Sequence, residues 1–228
     1  MENPIAFPDL PSKISRMEAL ASQCRGTGIY ESRLGTFYSE AGRLEDARKL
    51  LLSGLTHNTA YSKELRLGLF YVDFRQEKMT DAEKQASSLL SDFPTWAGSY
   101  NAIAQVQLLQ GRFQEAVQNL EHANQLEADA GTYALLTMAY YKLGRPKDAV
   151  VAMQHALRLN RSLVGHTQAV CATVYSLVAL GYIAEADDLL TKHLRVKPEA
   201  ASDPTFIAAS GLVASEKQKV REPSVPGG

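Results

Sequence analysis

The residues best suited to chemistry are the five histidines and two cysteines, because these side chains bind metals or act as bases and nucleophiles. His122 and His155 occupy equivalent positions in two similar stretches, a pattern that could belong to a metal site. A zinc site needs further ligands at regular spacings, and no histidine has a second ligand-type residue so placed. Cys24 and Cys171 are far apart, which is typical of a reducing compartment. The sequence therefore predicts no metal ion and no cofactor, and it places both histidines on helix surfaces.

Catalytic motifs are missing as well. The sequence has no phosphate-binding loop, no GxGxxG and no GxSxG. Serines, histidines and acidic residues occur, but no set is placed by a strained turn or a shared pocket. Cys171 lies in the apolar segment AVCATVYSLVAL, which favours a buried structural thiol over a reactive thiolate. We therefore expect that the protein is not an enzyme.

Composition and charge are those of a soluble, folded protein. Apolar residues make up 45% and charged residues 21% of the chain, which is enough apolar material to form a core. The net charge of −1 gives no reason to expect nucleic-acid binding, which requires a clustered basic face. There is no run of about 18 apolar residues to span a membrane, and no secretory signal is visible. We expect a cytoplasmic protein.

Helices must position any functional residues, as the stretch YALLTMAYYKLGRPKDAVVAMQHA shows. Tyr133, Leu136 and Tyr140 are spaced so that they fall on one side of a helix. Gly144 ends that helix, because glycine readily adopts the left-handed conformation, and Pro146 suits the first turn of the next helix. The result is a helical hairpin, which cannot bury both of its apolar faces alone.

The same turn recurs along the chain, with a glycine five residues before a small residue. The pairs are Gly42 with Ala47, Gly111 with Ala116, Gly144 with Ala149, and Gly181 with Ala186. With Ala82 included, the alanines recur at about 34 residues, and a helix pair at this period resembles the tetratricopeptide-repeat family. The resemblance covers residues 27–200, and we expect Ala116 and Ala149 to be buried where the helices of one pair meet the next.

This resemblance implies an all-α fold, a right-handed superhelical solenoid of about five helix-turn-helix repeats with flanking capping helices. We assign residues 1–26 to an N-terminal arm and capping helix, 27–200 to five repeats, 201–220 to a C-terminal capping helix, and 221–228 to a flexible tail. Ser12 is expected to cap a helix that runs to Cys24, and Asp203 to cap the last helix.

The second repeat departs most from the pattern. Its turn carries Glu77 where the others carry glycine, and Phe70 stands where the family has a small residue. Thr80 with Glu83 has the spacing of a capping box at the start of its second helix, and Pro94 should end that helix.

The family resemblance also implies candidate binding residues, because in that family the first helix of each pair lines an inner, concave groove. The corresponding residues are Arg33, Thr36, Leu67, Tyr71, Phe74, Arg75, Asn101, Gln105, Met138, Tyr141 and Tyr175. The five tyrosine, phenylalanine and methionine residues among them would give the groove apolar area with polar edges. Two alternatives stay open: several of these rings pack between helices, or the N-terminal arm or a terminal helix fills the groove.

Some family members hold the acidic C-termini of chaperones through a clamp of lysine, asparagine and arginine. The matching positions here are Ser32, Thr36, Gly68, Gly98 and Ala102. These residues supply no positive charge, so we expect that chaperone tails are not bound.

The function implied by the resemblance is therefore non-catalytic: a scaffold or adaptor that holds a peptide or helix of a partner protein in its groove. One alternative is a regulatory or substrate-presenting subunit of a multiprotein enzyme or secretion complex. Another is self-association through the end helices.

Overall fold

The computed structural model describes residues 10–57 and 60–221, and these contain helices and no β-strand. The α-helices are α1 (Leu10–Ala19), α2 (Ala21–Cys24), α3 (Ile29–Glu40), α4 (Leu44–His57), α5 (Ser62–Arg75), α6 (Met79–Asp92), α7 (Ala97–Leu109), α8 (Phe113–Leu126), α9 (Ala130–Lys142), α10 (Pro146–Leu159), α11 (Thr167–Ala179), α12 (Ile183–Val196) and α13 (Pro204–Arg221). Short 3-10 helices, Arg161–Gly165 and Pro198–Ser202, precede α11 and α13. The predicted all-α fold is confirmed. The predicted arm up to residue 9 and the tail from residue 222 lie outside the described residues.

The chain divides into two compact units, Met1–Val106 and Gln107–Gly228. In the first unit α3 packs against α4 and α5 against α6, while in the second α9 packs against α10 and α11 against α12. Successive pairs also touch, since α4 contacts α5 and α10 contacts α11. The helices of each unit therefore form consecutive pairs, as expected for a solenoid of helical hairpins.

A buried alanine lies in the first turn of each second helix. Ala47, Ala82, Ala116, Ala149 and Ala186 have no exposed surface. Because a methyl group takes up little volume, the helices can approach one another closely at these points. The burial predicted for Ala116 and Ala149 is confirmed, and the other three alanines share it.

The turn inside each pair needs one residue with a positive φ. Gly42, Gly111, Gly144 and Gly181 have φ angles of 77°, 74°, 67° and 82°. Glu77 has a φ of 58° and takes the same place between α5 and α6. The turn then closes in the same way, since the N–H of Lys78 donates to the carbonyl of Asp73 at 3.0 Å, as that of Arg145 donates to Tyr140 at 2.9 Å. The second repeat thus differs in residue type and keeps the backbone turn.

Phe70 is fully buried in α5, where the pattern favours a small residue. Its ring belongs to a cluster with Ala82, Ala86 and Leu89 of α6 and Ala102 of α7. The small methyl groups of these alanines leave space for the large ring of Phe70. The repeat therefore keeps a packed core although it lacks the small residue that the pattern favours at this position.

Two helix starts differ from the prediction. The α6 helix begins at Met79 with no side-chain cap, so Thr80 lies inside its first turn, and the predicted capping box is wrong. The left-handed turn at Glu77 returns the chain to helical geometry directly, before Thr80 is reached. The α1 helix begins at Leu10, ahead of the predicted cap Ser12, because the intervening proline suits a first turn.

The last helix begins as predicted. The Oδ1 atom of Asp203 accepts hydrogen bonds from the backbone N–H groups of Thr205 at 2.8 Å and Phe206 at 3.3 Å. Phe206, Ala209 and Val213 are then buried on the side of α13 that contacts α11. This helix therefore covers an apolar face of the preceding repeat.

Candidate functional site

All of the predicted binding residues lie on first helices of the pairs, but they divide between the two units. The first unit contains Arg33, Thr36, Leu67, Tyr71, Phe74, Arg75, Asn101 and Gln105, and the second contains Met138, Tyr141 and Tyr175.

In the second unit the predicted residues surround a pocket. The rings of Tyr141 on α9 and Tyr175 on α11 are stacked, with centroids 5.4 Å apart and planes 16° apart. Met138 also lines this pocket, whose volume is about 390 Å³. We call it the aromatic pocket, and its remaining lining residues are Lys142, Gln168, Cys171, Ala172 and Thr205.

The aromatic pocket is a largely apolar cleft that also contains a hydroxyl and an ammonium group. Burial raises the pKa of the Tyr175 hydroxyl above its ordinary value, so at neutral pH it remains protonated and can donate a hydrogen bond. Lys142 supplies a cation at the rim, with Nζ 5.7 Å from the centre of the Tyr141 ring. Such a cleft suits an apolar or aromatic side chain that also carries a polar group.

Cys171 forms part of the pocket wall and is 1% exposed, which confirms the buried thiol predicted from the sequence. Burial raises its pKa to about 11, so the neutral thiol predominates at physiological pH. A thiol in that state is a poor nucleophile, and here it acts as a small apolar side chain.

In the first unit a second patch forms around Tyr71. Tyr71 and Phe74 are half-buried on the ring of Phe70, with centroid distances of 5.1 and 5.6 Å. The Nε2 atom of Gln105 donates to the Tyr71 hydroxyl at 3.1 Å and to the carbonyl of Asn101 at 3.2 Å. Leu67 packs on the same cluster. The two rings therefore rest on the core while each keeps part of its surface exposed.

The other three predicted residues of the first unit have different surroundings. The Nη1 atom of Arg75 donates to the backbone carbonyl of Ser39 at 3.0 Å, which ties the end of α5 to the end of α3. Thr36 donates its hydroxyl to the carbonyl of Ser32 in its own helix at 3.0 Å. Arg33 is exposed on α3. Arg75 thus supports the packing of two first helices, a role that the sequence did not indicate.

A cavity of about 410 Å³ lies between α8, α9 and α10, and the sequence did not indicate it. His155 is partly buried there and stacks on Tyr133, with centroids 5.0 Å apart and planes 15° apart. The stacking follows from the packing of α9 on α10, which spacing along the chain does not reveal. Within the described residues no group of three histidine, cysteine or carboxylate side chains could hold a metal ion.

No described helix combines the length and the apolar composition that crossing a bilayer requires.

Comparison with known proteins identifies the repeats. Two models described as tetratricopeptide repeat match the chain, over residues 97–129 and 130–168. No curated protein sequence matches it.

Solved structures share the fold. TTC0263, a tetratricopeptide-repeat protein of Thermus thermophilus, is 19% identical with a TM-score of 0.63, over 84% of this chain and 99% of that one. A chain of the APC/C hetero-tetramer Cut9–Hcn1 is 16% identical with a TM-score of 0.72, over 91% of this chain and 39% of that one. YrrB, described as a tetratricopeptide-repeat protein with an unusual peptide-binding site, is 14% identical with a TM-score of 0.51, over 87% and 99% of the two chains.

Proposed function

Because the chain is a tetratricopeptide-repeat protein, a class that generally binds other proteins, we propose that it is a non-catalytic scaffold or adaptor holding a peptide or helix of a partner. The aromatic pocket is the proposed contact surface in the second unit. The patch of Leu67, Tyr71, Phe74, Asn101 and Gln105 is the proposed contact surface in the first.

The observation that carries this proposal is the stacked pair of Tyr141 and Tyr175 beside Met138. Tyrosine is enriched among the residues that dominate binding energy, because its ring gives apolar area with little loss of conformational entropy. Methionine adapts its shape to different partner side chains. A cavity of about 390 Å³ is large enough for a large partner side chain and part of its neighbour.

A relative with this fold lends support by analogy. YrrB is described by its peptide-binding site, and we extend peptide binding to the present chain as part of the proposal. The clamp for acidic chaperone tails has no counterpart at Ser32, Thr36, Gly68, Gly98 and Ala102. The proposed ligand is therefore held mainly through apolar contacts, and moderate salt should weaken its binding little.

The test is capture of a partner from an extract of the source cells by the immobilised full-length chain. The variant Tyr141→Ala with Met138→Ala should lose the captured protein, because both residues line the pocket. A matched control is Tyr182→Ala, which removes an exposed tyrosine from the N-terminal end of α12.

A folded double variant that captures the same protein as the parent would refute the role of the aromatic pocket. Thermal melting of all three proteins establishes that they are folded. Tyr175 packs against the buried core of its unit, and therefore its truncation is a less clean test than that of Tyr141.

A second candidate is a non-catalytic subunit that regulates a larger assembly or presents substrates to it. It is supported by the similarity to a chain of the Cut9–Hcn1 hetero-tetramer, although the present chain spans only 39% of that protein. Affinity purification at native expression followed by size exclusion distinguishes the two candidates. Co-elution of a catalytic chain in stoichiometric amount would favour the hypothesis that the protein is a subunit of an enzyme assembly. Co-elution of a single non-catalytic partner protein would favour the adaptor hypothesis.

A further inference from the structure

A second groove in the Gln107–Gly228 unit lies on second helices, whereas the aromatic pocket is lined chiefly by first helices. It is bounded by the C-terminal parts of α10 and α12 and by the 3-10 helix Arg161–Gly165, and its volume is about 960 Å³. We call it the basic groove. None of the proposed binding residues lines it.

The wall of the basic groove is anchored to the core. His193 of α12 is fully buried, and its Nδ1 atom lies 2.7 Å from the carbonyl oxygen of Val164 in the 3-10 helix. Because a carbonyl can only accept, Nδ1 is the donor. A Cβ atom on Gly165 would lie 3.3 Å from Cγ1 of Val196, so the 3-10 helix also approaches the end of α12 closely. The groove is thus part of the packed structure.

Apolar side chains also line the basic groove. Leu157 and Val164 are partly buried, and Val196 is 57% exposed. Apolar surface open to water within a concavity is a common feature of sites that bind another molecule.

Every charged residue lining the groove is a cation: Arg158, Arg161, Lys192 and Arg195. Lys192 has an ion pair, 2.6 Å from Asp188, whereas no carboxylate among the described residues pairs with the three arginines. This concentration of positive charge contrasts with the net charge of −1 for the whole chain.

Helix dipoles explain only part of this arrangement. A cation in the last turn of a helix is favoured, and this applies to Arg158 in α10 and Arg195 in α12. It does not apply to Arg161 in the 3-10 helix, and it gives no reason for the exposed apolar side chains in the same groove. Unpaired like charges around one groove repel each other, and an anionic partner would remove that repulsion.

We propose that the basic groove binds an acidic protein segment whose apolar side chains reach Leu157, Val164 and Val196. The lining contains no aromatic side chain on which a nucleic-acid base could stack, and it is concave where a bilayer surface is flat. A peptide carrying both carboxylates and aliphatic side chains matches both features of the groove. This binding does not depend on the aromatic pocket.

The test is a fluorescence-anisotropy titration of the full-length chain with a short labelled peptide composed of repeated Glu-Glu-Leu units. Arg161→Glu with Arg195→Glu should raise the dissociation constant about tenfold or more, because two attractive contacts become repulsive. Val196→Ser should also weaken binding, since it removes apolar area. The matched control is Lys147→Glu, which reverses an exposed charge at the other end of α10 and should change affinity less than about twofold.

Three probes of different chemistry complete the design. The same peptide with serine in place of leucine should bind about tenfold more weakly. Single-stranded DNA and vesicles of phosphatidylserine with phosphatidylcholine should bind more weakly than the Glu-Glu-Leu peptide.

The proposal is overturned if the parent does not bind the peptide, or if the double variant melts like the parent and binds it equally well. Equal binding of the serine peptide would refute the apolar contact. Tighter binding of DNA or of vesicles would assign the groove to those ligands instead. A loss of affinity in the double variant and in Val196→Ser, with Lys147→Glu unchanged, supports the proposal.

Discussion

The hydroxyl group of Tyr140 donates a hydrogen bond to Oε1 of Glu121 at 2.6 Å, which joins α9 to α8. In the first unit Tyr38 makes the same contact with Glu18 at 2.7 Å, and this joins α3 to α1. An arginine five residues after each tyrosine lies over its ring, 4.5 Å from the centroid in one case and 4.0 Å in the other. Glu18 of α1 therefore accepts a hydrogen bond from α3 in the same way as Glu121 of α8 accepts one from α9.

We expect Tyr140→Phe to lower the free energy of unfolding by about 1 kcal/mol, because it removes one hydrogen bond to a charged acceptor that water can then solvate. Glu121 is exposed, which keeps the loss small. Urea unfolding measures the effect. Tyr182→Phe, at an exposed tyrosine, is the control and should leave stability unchanged, and an equal loss in both variants would contradict this account.

Glu77→Gly should stabilise the protein by about 0.5–1 kcal/mol. A left-handed conformation costs a non-glycine residue about 1–2 kcal/mol, and the substitution removes this cost. Glycine also has more conformational freedom in the unfolded chain, which offsets about 0.4–1 kcal/mol of the gain in stability. The reverse change at the equivalent position, Gly144→Ala, should destabilise by a similar amount. No atom lies within 4 Å of the Cβ it would add, so the cost reports the backbone angle alone.

Thermal melts of these two variants check the prediction. Shifts in opposite directions are expected, and a lower melting temperature for Glu77→Gly would show that the glutamate side chain contributes more than its backbone strain costs.

Ala116→Glu and Ala149→Glu should each destabilise strongly. Both positions are fully buried, and overpacking alone costs about 1–3 kcal/mol before the penalty of a buried, unpaired carboxylate is added. Ala184→Glu, on the exposed side of α12, is the matched control and should melt close to the parent. Parent-like melting of either buried variant would mean that the repeat register is wrong.

The two cysteines should differ in reactivity. Cys24 is partly exposed and should react first with a thiol reagent at mildly alkaline pH, while Cys171 should react only after denaturant is added. A Cys24→Ala variant isolates the second thiol. Rapid labelling of this variant without denaturant would contradict the buried position of Cys171.

The same thiol makes stability depend on pH in a definite direction. Its pKa rises from 9.0 to about 11 on folding, so above pH 9 the unfolded chain releases the proton more readily. The contribution of Cys171 is therefore present below pH 9 and is lost as pH rises towards 11. Urea unfolding across this range should show a shallower decline for Cys171→Ala than for the parent.

Much of the fold could be predicted because its rules are local. A glycine that ends a helix and an alanine five residues later define each hairpin, and Glu77 could be recognised as the exception from its place in that pattern. The Thr80 capping box failed because the start of α6 was decided by the preceding turn.

Side-chain contacts between helices were harder to predict. The stacking of Tyr141 on Tyr175 depends on how α9 packs against α11, and the sequence placed the two residues only on the same kind of helix. The basic groove was missed because Arg158 and Arg195 come together only after α10 and α12 have packed. The sequence offers little warning, since Arg195 has Glu199 four positions further on and only the end of α12 at Val196 separates the two.

The turns at Gly42, Gly111, Gly144 and Gly181 also have a consequence for chirality. Each has a positive φ, and a Cβ atom added in the L configuration meets no atom within 4 Å. What disfavours other L residues there, including the Glu77 that occupies the equivalent turn, is handedness. A D-alanine, introduced by chemical synthesis, prefers positive φ and also reduces the freedom of the unfolded chain. These four turns are therefore sites where a mirror-image amino acid fits the backbone better than any of the chiral residues that the ribosome can supply.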